Sequence, residues 1–134
     1  MQDKTKNHQY KLLVVEDEES LRLIYSEYLS EEGPFETITA KDGQDAVKKV
    51  KENPDLDMIL LDLVLPKKDG LEVLKIIKPT VKSKTLIYIF SQLSGDDVIK
   101  KGFELGADGY IIKDKLQSPK DLQQELLAAL ESHR

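Results

Sequence analysis

The chain predicts a doubly wound α/β domain: five parallel strands in one sheet, covered by helices on both faces. Three observations carry this. Short apolar runs alternate five times with stretches of helical period, and a strand–helix–strand unit returning to the same sheet crosses over right-handedly. The length of 134 residues is that of one domain with one core. Apolar residues make up 40% and charged residues 34%, a globular balance rather than a disordered one.

The elements follow in order. Lys11–Val15 is short and β-branched and reads as a buried strand. Leu21, Ile24, Tyr25, Tyr28 and Leu29 then fall on one helical face, which ends at Gly33-Pro34. Phe35–Ala40 is the second strand, and Asp42 is placed to cap a helix running to about Val50. Met58–Leu61 is apolar throughout, as a strand covered on both faces must be. Asp69-Gly70 opens a helix carrying Leu71, Leu74 and Ile77, with Pro79 near its end. Leu86–Phe90 is the fourth strand, followed by a helix from about Asp96 to Leu105. Gly109–Ile112 is the fifth. Ser118-Pro119 then reads as a cap and first turn, and Leu122, Leu126, Ala129 and Leu130 form the last buried stripe.

Composition excludes several functions. The longest apolar runs, Met58–Leu61 and Leu86–Phe90, fall far short of the roughly 20 residues of a membrane helix, so no membrane insertion is expected. Residues 1–10, MQDKTKNHQY, lack the apolar stretch of a signal peptide and read as a polar tail before a folded body at 11–132. There is no cysteine, which removes disulfides, thiol nucleophiles and thiolate metal sites. A cytoplasmic location is expected. The net charge is −5 with no basic stripe, so direct nucleic-acid binding is not expected.

In open parallel sheets, sites form beyond the carboxyl ends of the strands. There the chain carries Glu16 and Asp17 after the first strand and Asp62 after the third. Ser91 follows the fourth and Lys113 the fifth. Each has a plain structural explanation when taken singly. Glu18 and Glu19 suit a helix start through the dipole, Asp69 suits a turn and cap, and Lys113 and Ser91 could be ordinary surface residues. Joint placement at the ends of four strands argues otherwise for Glu16, Asp17, Asp62, Ser91 and Lys113. Asp62 carries most weight, because it interrupts MILLDLVLP, where an ionised group beside a buried strand is costly without compensation. Three adjacent carboxylates repel, which would raise their pKa values unless a cation sits among them. Mg²⁺ fits such an oxygen-rich cluster. Zinc does not, since the only histidines, His8 and His133, lie near the termini.

These segments resemble the receiver domain of two-component response regulators, the CheY-like family, over Lys11 to Leu130. VVEDEES resembles its acidic first loop and LLDLVLPKKDG its phosphoacceptor segment, which Pro66, Asp69 and Gly70 also fit; IYIFSQ and GADGYIIKD resemble its fourth- and fifth-strand motifs. The resemblance implies strand order 2-1-3-4-5, Asp62 as phosphoacceptor, and Mg²⁺ (or Mn²⁺) held by Asp17, Asp62 and the Val64 carbonyl, with Glu16 acting through water. It also implies Ser91 as switch hydroxyl, Tyr110 as rotating aromatic and Lys113 as phosphoryl-binding lysine. A sensor histidine kinase or phosphotransfer protein would donate the phosphoryl group, and a protein target or a phosphorylation-dependent homodimer would read it.

This chain departs from the family pattern at three places. Glu16 stands where aspartate is commoner. Gln92 is bulkier than the small residue usual there and narrows donor access. Asp114 replaces a common proline, which removes the usual reason for a cis peptide, since a cis bond at a non-proline residue costs about 2.5–4 kcal/mol. Val64 and Leu93, two residues beyond Asp62 and Ser91, are apolar and cannot hydrogen-bond an attacking water. A long-lived phosphoryl group is therefore expected.

Two other readings share parts of this pattern. A flavodoxin-like electron carrier would need a serine- and threonine-rich phosphate loop where EDEES stands, and these acids would repel a flavin phosphate. A haloacid-dehalogenase-type hydrolase would need its Asp-x-Asp after the first strand, whereas Asp55-Leu-Asp57 precedes the third. A stand-alone receiver and a piece of a longer regulator both remain open.

Overall fold

The computed structural model describes residues 10–133. Five strands, β1 (Tyr10–Val15), β2 (Phe35–Ala40), β3 (Met58–Leu61), β4 (Leu86–Ser91) and β5 (Gly109–Ile112), form one sheet. Its order is β2-β1-β3-β4-β5, with every pairing parallel. Between and after the strands lie α1 (Glu19–Glu32), α2 (Gly43–Glu52), α3 (Gly70–Ile77), α4 (Asp96–Glu104) and α5 (Pro119–His133). Alternating strand residues feed two separate cores. Leu13, Val15, Ile59, Leu61, Ile87 and Ile89 pack against α2, α3 and α4. Leu12, Val14, Met58, Leu60 and Phe90 pack against Leu29 of α1 and Leu122, Leu126 and Leu130 of α5. The central strands are buried on both faces, which is why they read as unbroken apolar runs.

The starts of α2, α3 and α5 are fixed by side chains. Asp42 accepts from Asp45 N at 2.7 Å, Asp69 from Leu71 N at 2.9 Å, and Ser118 Oγ from Asp121 N at 3.4 Å. Gly70 permits the turn after β3, because a Cβ there would run into the backbone of Leu63. At the amino edge of the sheet, Asp57 Oδ2 accepts from Lys11 N and Asp108 Oδ2 from Ile87 N, each at 2.8 Å. Asp55 adds an ion pair to Lys11 Nζ at 3.0 Å. The Asp55-Leu-Asp57 pair thus ties β1 to the segment before β3, at the end of the sheet away from the other acids.

Several expectations change. Tyr10 belongs to β1, paired with Phe35, rather than to the polar tail. The rest of that tail, with His8, lies outside the described residues. On α1, Ile24 is 50% exposed, and Ser26 takes a buried position in its place. The Ser26 carbonyl accepts from Thr37 Oγ1 at 3.3 Å, drawing that side of the helix onto β2. Pro79 sits in a separate 3₁₀ turn, Lys78–Thr80, and β4 runs on to include Ser91. No peptide bond among the described residues is cis, that of Lys113-Asp114 included. No helix among them is long and apolar enough to cross a membrane.

Candidate functional site

The strand order decides which residues meet. β1 and β3 are neighbours, with Val15 opposite Leu61, so the chain leaves both strands side by side. Asp62 N donates to Val15 O at 3.1 Å. Glu16 and Asp62 are 3% and 5% exposed, while Asp17 faces solvent. Lys113 reaches back from the end of β5. Its Nζ lies 2.6 Å from Glu16 Oε1 and 3.0 Å from Asp62 Oδ2. The second oxygen of each carboxylate is also engaged, Asp62 Oδ1 accepting from Val64 N and Glu16 Oε2 from Glu18 N, both at 3.1 Å. Asp62 is therefore buried, oriented and charge-compensated.

The electrostatics differ in cause from the sequence expectation. Glu16 is pushed above the ordinary glutamate value chiefly by burial; the bond to Lys113 opposes this, and the charge of Asp62 contributes least. For Lys113, burial pulls the pKa down, but the hydrogen bonds to Glu16 and Asp62 and the charges of those two acids together outweigh it and hold the ammonium above its ordinary value. The protein thus places its own cation among the acids.

A divalent ion also fits. Glu16, Asp17 and Asp62 can each present an oxygen within 4.8 Å of the others. An all-oxygen donor set with one member open to solvent suits Mg²⁺ or Mn²⁺ rather than a softer metal.

Ser91 is fully buried at the end of β4 and accepts from Leu93 N at 3.3 Å rather than bonding to Asp62 or Lys113. Tyr110 is half-buried, and its hydroxyl donates to Leu93 O at 2.7 Å. Burial, and then the charge of Asp62, raise its pKa. Val64 and Leu93 are 45% and 40% exposed, and Gln92 is exposed as well. The first two are the exposed apolar residues two positions beyond Asp62 and Ser91.

Two contributors escaped the sequence reading. Arg22 Nη1 donates to the carbonyls of Glu16 and Asp17 at 3.0 and 3.3 Å, fixing the acidic loop. The Phe90 ring lies under Lys113 Nζ at 5.4 Å and meets Tyr25 edge-on at 5.1 Å, giving the ammonium an aromatic seat. A lone arginine in the first turn after an acidic loop was the available signal for the former. The latter had none, because a core phenylalanine looks the same whichever group lies over it.

Comparison with known proteins agrees with this geometry. The family described as "Response regulator receiver domain" matches residues 12–127. The alkaline phosphatase synthesis transcriptional regulatory protein PhoP of Bacillus subtilis is 40% identical over 123 residues, covering 90% of this chain and 48% of that protein. The chemotaxis protein CheY of Treponema pallidum is 35% identical over 105 residues, covering 78% of this chain and 72% of its own. The N-terminal receiver domain of Klebsiella pneumoniae RstA superposes with a TM-score of 0.78 at 25% identity, covering 90% of this chain and 97% of that one. The chain spans about half the length of PhoP and of several other curated relatives it matches. With the family match, the relatives and the fold in agreement, the chain belongs to the response regulator receiver domains of two-component signalling.

Proposed function

We propose that this domain takes a phosphoryl group onto Asp62 from the phosphohistidine of a sensor kinase or phosphotransfer protein, in the cytoplasm, and so controls a protein partner. The observation that carries this is Asp62 itself: a buried carboxylate at the end of β3, with Lys113 on one oxygen and the Val64 N–H on the other. One Asp62 oxygen attacks phosphorus while the donor's N–P bond breaks and the imidazole leaves, giving an acyl phosphate. Lys113 holds negative charge on the transferred group, and Ser91 and Tyr110 respond to it. A divalent cation bound by Asp17, Asp62 and the Val64 carbonyl, with Glu16 through water, would neutralise the phosphoryl oxygens. Apolar, exposed Val64 and Leu93, two residues beyond Asp62 and Ser91, support slow loss of the phosphoryl group, because neither side chain can hydrogen-bond an attacking water.

Several relatives are named as transcriptional regulators and are about twice this length. Transcriptional regulation is what the names of those proteins state. For this chain the proposed readout is a protein target or a phosphorylation-dependent homodimer. The RstA receiver was captured in a BeF₃-activated form, which suggests the probe. With acetyl phosphate and Mg²⁺, wild type should gain one phosphoryl group and Asp62→Asn none; equal labelling of the variant would sink the assignment. The same labelled protein, timed in Mg²⁺, should decay at least about tenfold faster as Val64→Asn/Leu93→Glu. Unchanged decay would refute the role of these two positions.

A further inference from the structure

A second surface, away from Asp62, has the makings of a binding site. Between α2 and α3 lies a groove of about 670 Å³. Val47 and Ile76 contribute apolar surface to it, and Ile76 is 39% exposed. Lys48 and Lys51 line it from α2, and Lys67 and Lys68 from the loop before α3. Among the described residues none of these four lysines forms an ion pair. Only two acids share the lining, and one of them, Asp42, is engaged in capping α2. In a chain of net charge −5 this concentrates unpaired positive charge beside apolar surface. Scattered surface lysines would be unremarked, but four around one concavity with an isoleucine left in water are not what solubility alone requires.

The groove's shape indicates the occupant. Its α2 wall runs from Gly43 to Glu52 along two rows four residues apart, the whole of that helix. At 1.5 Å per residue this is about 14 Å, or between two and three helical turns. A small anion would cover part of it, whereas a helix laid lengthwise would cover it all. A second copy is the weaker candidate. The acidic amphipathic surface it could offer is α1, where Leu23 and Ile24 are exposed beside Glu19 and Glu27. That helix packs on the opposite face of the sheet from α2 and α3, so the contact would run head-to-tail and propagate rather than close.

We infer that the α2–α3 groove docks an acidic amphipathic helix of a partner protein, with apolar side chains against Val47 and Ile76 and carboxylates on the lysines. This is helix-in-groove recognition, with charge complementarity setting the choice of partner. It requires no step at Asp62, so the unphosphorylated protein is the one to test.

Three fluorescein-labelled 14-residue helical peptides, with leucines at different three- and four-residue spacings flanked by glutamates, would be titrated against the intact protein. Each would be paired with a counterpart carrying lysine for glutamate. At least one acidic peptide should bind and shift backbone amides of α2, α3 and residues 66–68. Lys48→Glu/Lys51→Glu should weaken it at least about tenfold and should favour the lysine counterpart, since two exposed ion pairs are lost and repulsion replaces them. Ile76→Asp should weaken both, with circular dichroism confirming that the variants fold. No binding of any acidic peptide at millimolar concentration, equal affinity in the charge-reversed variant, or amide shifts elsewhere would overturn the inference. Displacement of the peptide by ATP would reassign the groove to a small anion. Self-association abolished by the same reversal would reassign it to a second copy.

Discussion

Glu16 is a carboxylate almost out of solvent whose ionised form is supported by Lys113 and by the Glu18 N–H. Burial raises its pKa above the ordinary 4.5, so the folded state holds this proton more tightly than the unfolded chain does. The contribution to stability is therefore fully present below pH 4.5 and is lost as pH rises through the raised value. Glu16→Gln removes that titration. In metal-free buffer, the stability of Glu16→Gln relative to wild type should grow as pH climbs from about 4.5 towards neutrality, measured by urea unfolding. A difference that stays flat or shrinks would show that Lys113 compensates the charge in full. That Glu16, Asp17, Asp62 and Lys113 would meet was legible in the sequence because each lies just beyond the end of a strand of one parallel sheet, although singly each had a plain structural explanation. Arg22 and Phe90 were not, because they act through backbone carbonyls and a ring face, which leave no pattern in charge or period.

Among the elements, the β3–α3 connection holds the least comfortable backbone. Lys67 sits at φ 69°, the left-handed region, where a side-chain Cβ is crowded. Lys67→Gly should raise stability by about 0.5–1 kcal/mol, the relief of that crowding less the added flexibility of the unfolded chain. Unfolding in urea would check it, and a destabilised variant would mean that the lysine side chain makes a compensating contact. The elements themselves were largely readable: all five strands lie within a residue of the apolar runs, and Asp42, Asp69 and Ser118 cap three of the helices. α1 was the exception. Its period could be drawn through Ile24, but a helical wheel does not register that Thr37 on β2 would claim the Ser26 carbonyl and rotate the buried stripe.

Across the whole molecule, Asp62 and the β4–α4 loop are linked through Tyr110, whose hydroxyl holds Leu93 O at 2.7 Å and whose pKa is raised by burial and then by the charge of Asp62. Changing the charge at Asp62 should therefore disturb α4, β5 and the start of α5. Amide exchange with and without beryllofluoride should change most between residues 91 and 121, and Tyr110→Phe should blunt the difference. Changes confined to α1 and α2 would refute the coupling. The amino edge of the sheet contributes differently. There Asp57 and Asp108 clasp the backbone of neighbouring strands at 2.8 Å, neutral N–H groups meeting carboxylates, with Lys84 Nζ adding an ion pair to Asp57 at 3.7 Å. At the carboxyl edge an ammonium bridges two acids. The sheet is thus held like a cantilever, by backbone clasps at the root and by an ion bridge at the tip, so a new charge at the tip should act on the loops there before it reaches the root.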